Sequence, residues 1–374
     1  MEIAVSRSEL YKGLQKVLPA VPAKTTLPIL TNILFRAEGD SVKLTGTDLE
    51  ISVTTSIPAE VVEGGSVAVS ARTLGDIVRE LPDVGLHVAC DERQRMTITT
   101  DRGTYTLLGQ QAEDFPSVTG EEYENSFQIA ASVFARLIEK SVFAVSSDVQ
   151  RRVLTGVCFE VYPDELRLVA TDGHRLSKVV YKQQNLSSGE RISVIVPPRA
   201  LLAASKAIGE GVTYFQIKVA PDQIMFSSDA TEVYAKLIEG QYPNYEKVIP
   251  SDNDKILTVD KEEMTAALRR VAIFSSSTTR QVRLEMDQNN LTVSSEDVEV
   301  GGEGREVLSV EYEGQPLRIG YNASYLLEIL RHIETNVARF ELRDPMSAAV
   351  IRPSVQREDE DFLALVMPIR LTEE

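Results

Sequence analysis

"ILTNILFRAEGDSVKLTGTDL", residues 29–49, falls on "VLTGVCFEVYPDELRLVATDG", residues 153–173, without a gap. Leu30 meets Leu154, Thr31 meets Thr155, Phe35 meets Phe159, Asp40 meets Asp164, and Thr47-Asp48 meets Thr171-Asp172. A weaker third copy, "VRLEMDQNNLTVSSEDV", starts at Val282 and puts Asp297 in the place of Asp48. The period is close to 125 residues, and three periods account for the 374-residue chain. A repeat of that length has the size of a whole domain.

Each copy has the same internal order. A short strand leads into a helix whose apolar residues have helical spacing: Leu10, Leu14 and Val17; Phe134, Leu137 and Ile138; Met264, Leu268 and Val271. Two alternating strands joined by a polar turn follow ("AEGDS", "VYPDE", "MDQNN"), then a second helix beginning near Ala71, Pro198 and Ala323. Pro116 and Pro243 mark similar linkers. The pattern predicts an α+β chain of three tandem domains, residues 1–125, 126–251 and 252–374. Each has two helices and mostly antiparallel sheet.

Composition narrows the function. The formal charge of −17 argues against nucleic-acid binding through a uniformly basic surface, so the placement of charge has to decide. No run of apolar residues is long enough for a membrane span, and "MEIAVSRSEL" lacks the features of a signal peptide. Cys90 and Cys158 lie in apolar, strand-like runs without metal-ligand spacing. Both read as buried free thiols of a cytoplasmic protein. The acidic stretch "QREDEDF" (356–362) reads as a solvated loop.

The stretch "VATDGHRLS" (169–177) brings Asp172, His174 and Ser177 close together and invites a catalytic reading. The repeat argues against it. Asp172 recurs as Asp48 and Asp297, as expected of a turn aspartate that binds local backbone N–H groups. His174 is replaced by Glu50 and Glu299, so "GHRL" is particular to the second copy. No nucleophile elbow occurs.

Positive charge recurs too. Lys16, Lys140 and Arg270 match in the first helices, with Lys12 and Arg136 matched one turn earlier. Arg79, Lys206 and Arg331 match in the second helices, and Arg72 matches Arg199. Residues two positions from a core residue point about 200° away from it. The expectation is a cation opposite the apolar stripe of all six helices, forming a helix-lined basic surface on an acidic body. Such a surface meets phosphates without sequence preference.

The segments "TLPILTNILF" (26–35), "LTGTDLE" (44–50), "ATDGHRLS" (170–177), "SVIVPPRALL" (193–202), "GQYPNY" (240–245) and "VMPIRL" (366–371) resemble the bacterial DNA sliding clamps, the beta subunits of the replicative polymerase. The resemblance runs in order over essentially the whole chain. It implies two chains closed head to tail into a ring of six domains. Helices line the hole and sheets form the outside. Duplex DNA is encircled without sequence preference, and polymerases and the clamp loader dock through short linear peptides. It implies no catalysis, no cofactor and no metal.

The family's sites carry over residue by residue. The peptide pocket falls on Val153, Leu154, Thr171, Gly173, His174, Arg175, Leu176, Pro243, Lys247, Val248 and Tyr325, and on Leu365, Val366, Met367, Pro368, Ile369, Arg370 and Leu371. Leu, Val and Met would form an adaptable floor, and His174 or Arg175 would fix the polar part of a peptide. DNA contacts fall on Lys24, Arg72, Gln150, Arg151, Arg152 and Arg199, with Arg79 and Lys206 added from the helix pattern. The dimer contact falls on Ile273 and Phe274 meeting the strand around Tyr105 and Leu107. The chain departs from the family where two aromatics often precede the Leu154 position, having Arg152-Val153. It also has Lys247 where some members have Arg, and it continues past Leu371 as Thr372-Glu373-Glu374. Two other readings remain: a monomeric docking scaffold of this fold, and a hydrolase built on Asp172 and His174.

Overall fold

The computed structural model describes residues 1–117, 123, 125–187, 191–207, 211–228, 230–297 and 301–371. Glu299 and the Thr372-Glu373-Glu374 extension lie outside these residues. Six α-helices occur among the described residues, two in each sequence copy: α1 (Arg7–Val17), α2 (Ala71–Glu80), α3 (Ala131–Val142), α4 (Pro198–Ala207), α5 (Lys261–Val271) and α6 (Ala323–Arg331). Side-chain caps start four of them directly after a strand. Ser6 accepts from the Glu9 N–H, Ser70 from Thr73, Asp260 from Glu263, and Asn322 from Ser324 and Tyr325. The apolar stripes read from the sequence are all buried, from Leu10 and Leu14 through Phe134 and Leu137 to Met264 and Val271.

Four sheets carry the rest, and every described pairing is antiparallel. A five-stranded sheet belongs to the first copy and ends at the edge strand Gly103–Leu108. A four-stranded sheet belongs to the third copy and ends at Gly302–Ser309. The other two sheets join copies. In the eight-stranded sheet, Thr231–Lys236 of the central copy pairs with Ile51–Pro58 of the first, from Thr231↔Thr55 to Ala235↔Ile51. In the nine-stranded sheet, Arg175–Lys182 of the central copy pairs with Glu360–Val366 of the third, from Arg175↔Val366 to Tyr181↔Glu360.

The central copy is therefore shared. The chain forms two compact units: residues 1–135 with 196–238, and residues 136–195 with 239–374. Sequence repeats and compact bodies do not coincide, because hydrogen-bonded ladders cross the repeat boundaries. The repeat predicts how many domains there are. It does not predict which halves share a core.

The shared "TD" turn has the same construction twice. Asp48 Oδ1 accepts from the N–H groups of Glu50 (3.0 Å) and Ile51 (2.8 Å). Asp172 Oδ1 accepts from His174 (2.8 Å) and Arg175 (2.9 Å). Thr47 and Thr171 each accept from the N–H two residues on, at 3.0 Å in both copies. The residue between is left-handed in both, with φ of 75° at Leu49 and 90° at Gly173. Asp172 is thus a turn-forming residue, as its recurrence predicts.

Left-handed backbone costs a residue with a Cβ roughly 1–2 kcal/mol. At Gly173 a Cβ would also come within 2.9 Å of the Arg151 guanidinium. Gly173→Ala is therefore expected to lower unfolding stability by about 1–2 kcal/mol. Leu49→Gly, relieving the same strain, should leave stability unchanged or slightly higher. Urea midpoints that fall equally for both would contradict this account of the turn.

Candidate functional site

The second seam builds a clasp. Its ladder reaches Leu176↔Leu365 and Arg175↔Val366, and the Met367 N–H then donates to His174 O at 2.8 Å. Pro368 has no N–H to continue it. The chain turns, and the Ile369 N–H donates to Gly320 O at 2.8 Å. A Cβ on residue 320 would lie 2.7 Å from Ile369 O, so glycine is needed there for the approach. The result grades apolar side chains from inside to outside. Leu154, Leu176, Leu365 and Val366 are buried. Val153, Thr171, Tyr325, Pro368, Ile369 and Leu371 are half-buried. Met367 is 41% exposed and Val248 56%. Gly173, His174, Pro243, Lys247 and Arg370 are exposed. Leu176 and Leu365 also pack with Cys158, Val169 and Tyr245, against which Tyr242 and Ile249 lie, so the linker "GQYPNY" is fixed to the same apolar cluster.

Arg175 is buried, not a cation on the rim. Its Nε donates to Asp172 (3.1 Å), one terminal nitrogen to Glu328 (2.5 Å) and the other to Phe143 O (2.7 Å). Its guanidinium lies 4.6 Å from the Tyr325 ring centre. Each of its three nitrogens has a partner, which fixes the "GHRL" turn against α6. Among the second copy's own residues here, exposed polar contacts fall to His174, Lys247 and Arg152.

The helix cations divide into two kinds. Lys140 does not face solvent: it is buried between Glu360 and Glu334, the latter at 3.1 Å. Arg136 joins it on Glu360 at 2.7 Å. The sequence expectation of a solvated "QREDEDF" loop holds for the exposed Arg357, Glu358 and Asp359 and fails from Glu360 on. Glu360 begins a strand and is buried, because its charge is matched by two cations from α3. Lys16 is half-buried. Arg270 is exposed but bidentate to Glu306, at 2.6 Å for each nitrogen. Only part of the matched set therefore forms an outward basic face.

Among the remaining DNA candidates, Lys24, Arg72, Gln150, Arg152 and Lys206 are exposed. Arg79 pairs with Asp76 (3.0 Å) and Glu80 (3.1 Å). Arg151 holds Asp148 (3.0 Å) and the Asp172 carbonyl (2.8 Å). Arg199 ties Asp48 Oδ2 (2.7 Å) to the Pro19 carbonyl. At the interface candidates, Ile273 is 69% exposed and Tyr105 partly exposed, whereas Leu107 is 5% exposed and points into its own domain. Its neighbour Leu108, absent from the sequence reading, is 78% exposed on the edge strand. The signal was the strand's alternation: Leu107 packs opposite Met96, and one step along reverses the face. Phe274 packs on the edge strand Gly302–Ser309, where a Cβ at residue 304 would come within 2.6 Å of its ring.

Two of the three residues that invited a catalytic reading are engaged elsewhere, and His174 is exposed. Asp172 holds backbone and Arg175, and the buried Ser177 hydroxyl donates to Lys140 O. Among the described residues, no three His, Cys, Asp or Glu side chains are grouped to hold a metal. Both cysteines are free. Burial pushes the Cys158 thiol up to about 12, while Cys90 is half-buried rather than buried, on a strand beside the N-terminus.

Three α+β repeats joined by cross-repeat sheets, with an apolar clasp at the second seam, define a processivity-clamp architecture. The chain belongs to the DNA polymerase III beta subunit family. Its N-terminal, central and C-terminal domain descriptions match residues 1–119, 128–244 and 246–370. The beta sliding clamp of Pseudomonas aeruginosa is 35% identical over 99% of this chain and all of that protein. That of Caulobacter vibrioides is 32% identical with the same coverage. A crystal structure of the Pseudomonas aeruginosa sliding clamp bound to griselimycin superposes with a TM-score of 0.92, covering 99% and 100% of the two chains at 35% identity.

Two measurements probe the interior. Lys140→Met strands Glu360 and should cost about 3 kcal/mol or more, read by chemical denaturation. A loss under 1 kcal/mol would mean Arg136 alone balances Glu360. The second concerns His332, which stacks on Phe143 at 4.4 Å between ring centres. Burial holds its imidazole below the usual range. The unfolded chain thus takes up a proton first as pH falls through about 6.5, so stability drops there. His332→Gln should flatten that decline, and an unchanged pH slope would remove His332 as its source.

Proposed function

We propose that the chain acts as the processivity factor of a bacterial replicative polymerase, a homodimeric ring that encircles duplex DNA and slides without sequence preference. Residues 1–125, 126–251 and 252–374 are its three clamp domains. The clasp at the seam of the central and third copies carries the reading. It supplies buried Leu154, Leu176 and Leu365, exposed Val248 and Met367, and a rim containing His174. A hydrophobic anchor residue of a linear peptide would seat on the leucines, and Met367 would adapt to its neighbours. Arg175 positions the turn and does not meet the peptide. The partners are polymerases and the clamp loader. Among the described residues no helix is long and apolar enough to cross a membrane, and a DNA replication factor of this kind works in the cytoplasm. The chain performs no reaction itself and uses no cofactor.

Ring closure is supported by two free strand edges, Gly103–Leu108 and Gly302–Ser309, each beside exposed apolar residues: Tyr105 and Leu108 in one case, Ile273 and Val307 in the other. Such edges pair with another chain unless covered, and joining unlike ends head to tail closes a ring. The scaffold alternative lacks this contact.

The decisive experiment is a titration of a labelled peptide from the C-terminal tail of a bacterial replicative polymerase, read by fluorescence polarisation. Wild type should bind saturably, and Leu176→Ala with Met367→Ala should weaken binding at least about tenfold, as truncation of anchor contacts does. Equal binding by the two proteins would exclude the clasp as the docking site. Retention on circular but not linearised DNA tests encirclement. Phe274→Glu should abolish it by placing an unpaired charge at the interface, with light scattering reporting a monomer. An intact dimer would move the interface elsewhere.

A further inference from the structure

Two carboxylates are buried among the described residues, Glu360 and Glu160, and they are matched differently. Glu360 meets Lys140 and Arg136, whose side chains are only 6% and 18% exposed. Glu160 is 2% exposed, yet Arg191, its one ion-pair partner among the described residues, is 56% exposed. The second Glu160 oxygen accepts from the Tyr245 hydroxyl at 2.6 Å. The positions that match Glu160 in the other copies are not enclosed. Arg36 is exposed, and Glu285 is 39% exposed and pairs with Arg318 at 3.0 Å. Burial of this carboxylate is particular to the second copy.

A cleft of about 600 Å³ opens beside it. Cys158, Glu160 and Tyr162 alternate onto one face of the strand Val157–Tyr162, and the linker carrying Tyr242, Pro243 and Tyr245 lines the cleft with them. All these residues belong to one compact unit. Two guanidinium groups lie by the Tyr162 ring, Arg167 at 4.5 Å and Arg191 at 5.3 Å from its centre. Arg167 is also anchored on Glu165 and, at 3.0 Å, on Glu246. Arg191 has no second carboxylate among the described residues. It is the cation that can leave, because one carboxylate and one aromatic face hold it at an exposed position. The cleft adjoins the clasp. A Cβ on Gly240, which lines the cleft, would come within 2.6 Å of Val153, and Cys158 and Tyr245 pack with Leu176 and Leu365.

Resting on the docking reading of the clasp, we infer that this cleft seats an arginine side chain of the docked peptide, next to its hydrophobic anchor, in exchange with Arg191. Only a cation can take that place, because Arg191 leaving without a replacement strands a buried carboxylate. A neutral or acidic flanking residue leaves the chain's own arginine in the cleft. An incoming guanidinium finds the Glu160 oxygen and the Tyr162 face that Arg191 now occupies. Burial and the Glu160 carboxylate hold the Tyr245 hydroxyl above its usual range, so it stays a donor and keeps the carboxylate in position. Once the anchor is docked, the arginine acts at a high effective concentration, which lets it compete with Arg191. The chain's own residue thus selects against every flanking side chain that is not its equivalent.

The test uses the labelled polymerase-tail peptide with an arginine attached through two glycines at either end, against the same peptides carrying glutamine there. All are titrated into the full-length protein by fluorescence polarisation. Wild type should prefer arginine about threefold at one of the two ends, since the guest competes with Arg191. Arg191→Ala empties the seat and should widen that preference to at least about tenfold, the effect of a charge-assisted hydrogen bond to an otherwise open carboxylate. Arg191→Ala with Glu160→Gln should abolish the preference, while the glutamine peptides bind all three proteins alike. This double variant leaves no stranded charge, so it folds even where Arg191→Ala is weakened. It also keeps the wild-type net charge, so a preference that persists in it is general attraction to an acidic chain and overturns the seat. Glutamine peptides that bind while neither wild type nor Arg191→Ala prefers arginine overturn the seat and leave the clamp reading standing. Calorimetry with N-acetylarginine amide reads the seat without the clasp. Binding to Arg191→Ala that is lost in the double variant, with no peptide bound by wild type, overturns the docking reading and the peptide as occupant. Absence of binding by the peptides and the amide alike overturns both.

Discussion

The antiparallel ladder between Arg175–Lys182 and Glu360–Val366 is the constraint from which most of the functional surface follows. Its register is fixed by side chains on both faces: Leu176 and Leu365 in the apolar cluster, Glu360 under α3. A slip of one residue would turn Leu365 out and bring Val366 into its place. The same register delivers Met367 to His174 O and releases the chain at Pro368, which lets Ile369 reach Gly320. The clasp proposed for docking is thus the end of a structural seam, and its exposed side chains are placed by buried ones.

The first seam repeats the geometry with different chemistry. Lys236 donates its N–H to Glu50 O at 2.9 Å, in the position where Met367 meets His174, and its ammonium stands 3.5 Å from Glu50. Ser52 stands where Leu176 does. Asp48 takes Arg199 where Asp172 takes Arg175. One fold therefore yields an apolar clasp at one seam and a charged closure at the other. Backbone hydrogen bonds set the shape of each seam, and a few substitutions set what it can bind.

Much of this was legible in the sequence. The copies, the helix stripes and the turn role of Asp172 follow from period and matched positions, and the grouping of "GHRL" with "MPIRL" is what the family resemblance implies. What escaped at the second seam has a common cause: each missed feature there depends on a partner from another copy. Glu360 read as a solvated acid because its cations lie on α3, more than 200 residues earlier in the chain. Arg175 read as a rim cation because Glu328 and Tyr325 belong to the third copy. Leu107 was preferred to Leu108 because a resemblance gives a neighbourhood, whereas the face comes from the alternation of one strand.

The pairing of cations also bears on how an acidic protein meets DNA at all. A clamp that slides needs contacts weak enough to exchange between neighbouring phosphates, and each unpaired lysine steepens the salt dependence of binding. Matched cations in every helix would multiply that dependence and brake the motion. Burying Lys140 and Arg136 against Glu360, and pairing Arg270 with Glu306, withdraws three of them while their positions stay occupied. Matched cations thus serve cohesion at the second seam, while Lys16 at the first meets only a hydroxyl. The difference between the matched Lys140 and Lys16 lies in the carboxylates that reach them: Glu360 and Glu334 of the third copy reach Lys140, and none pairs with Lys16 among the described residues.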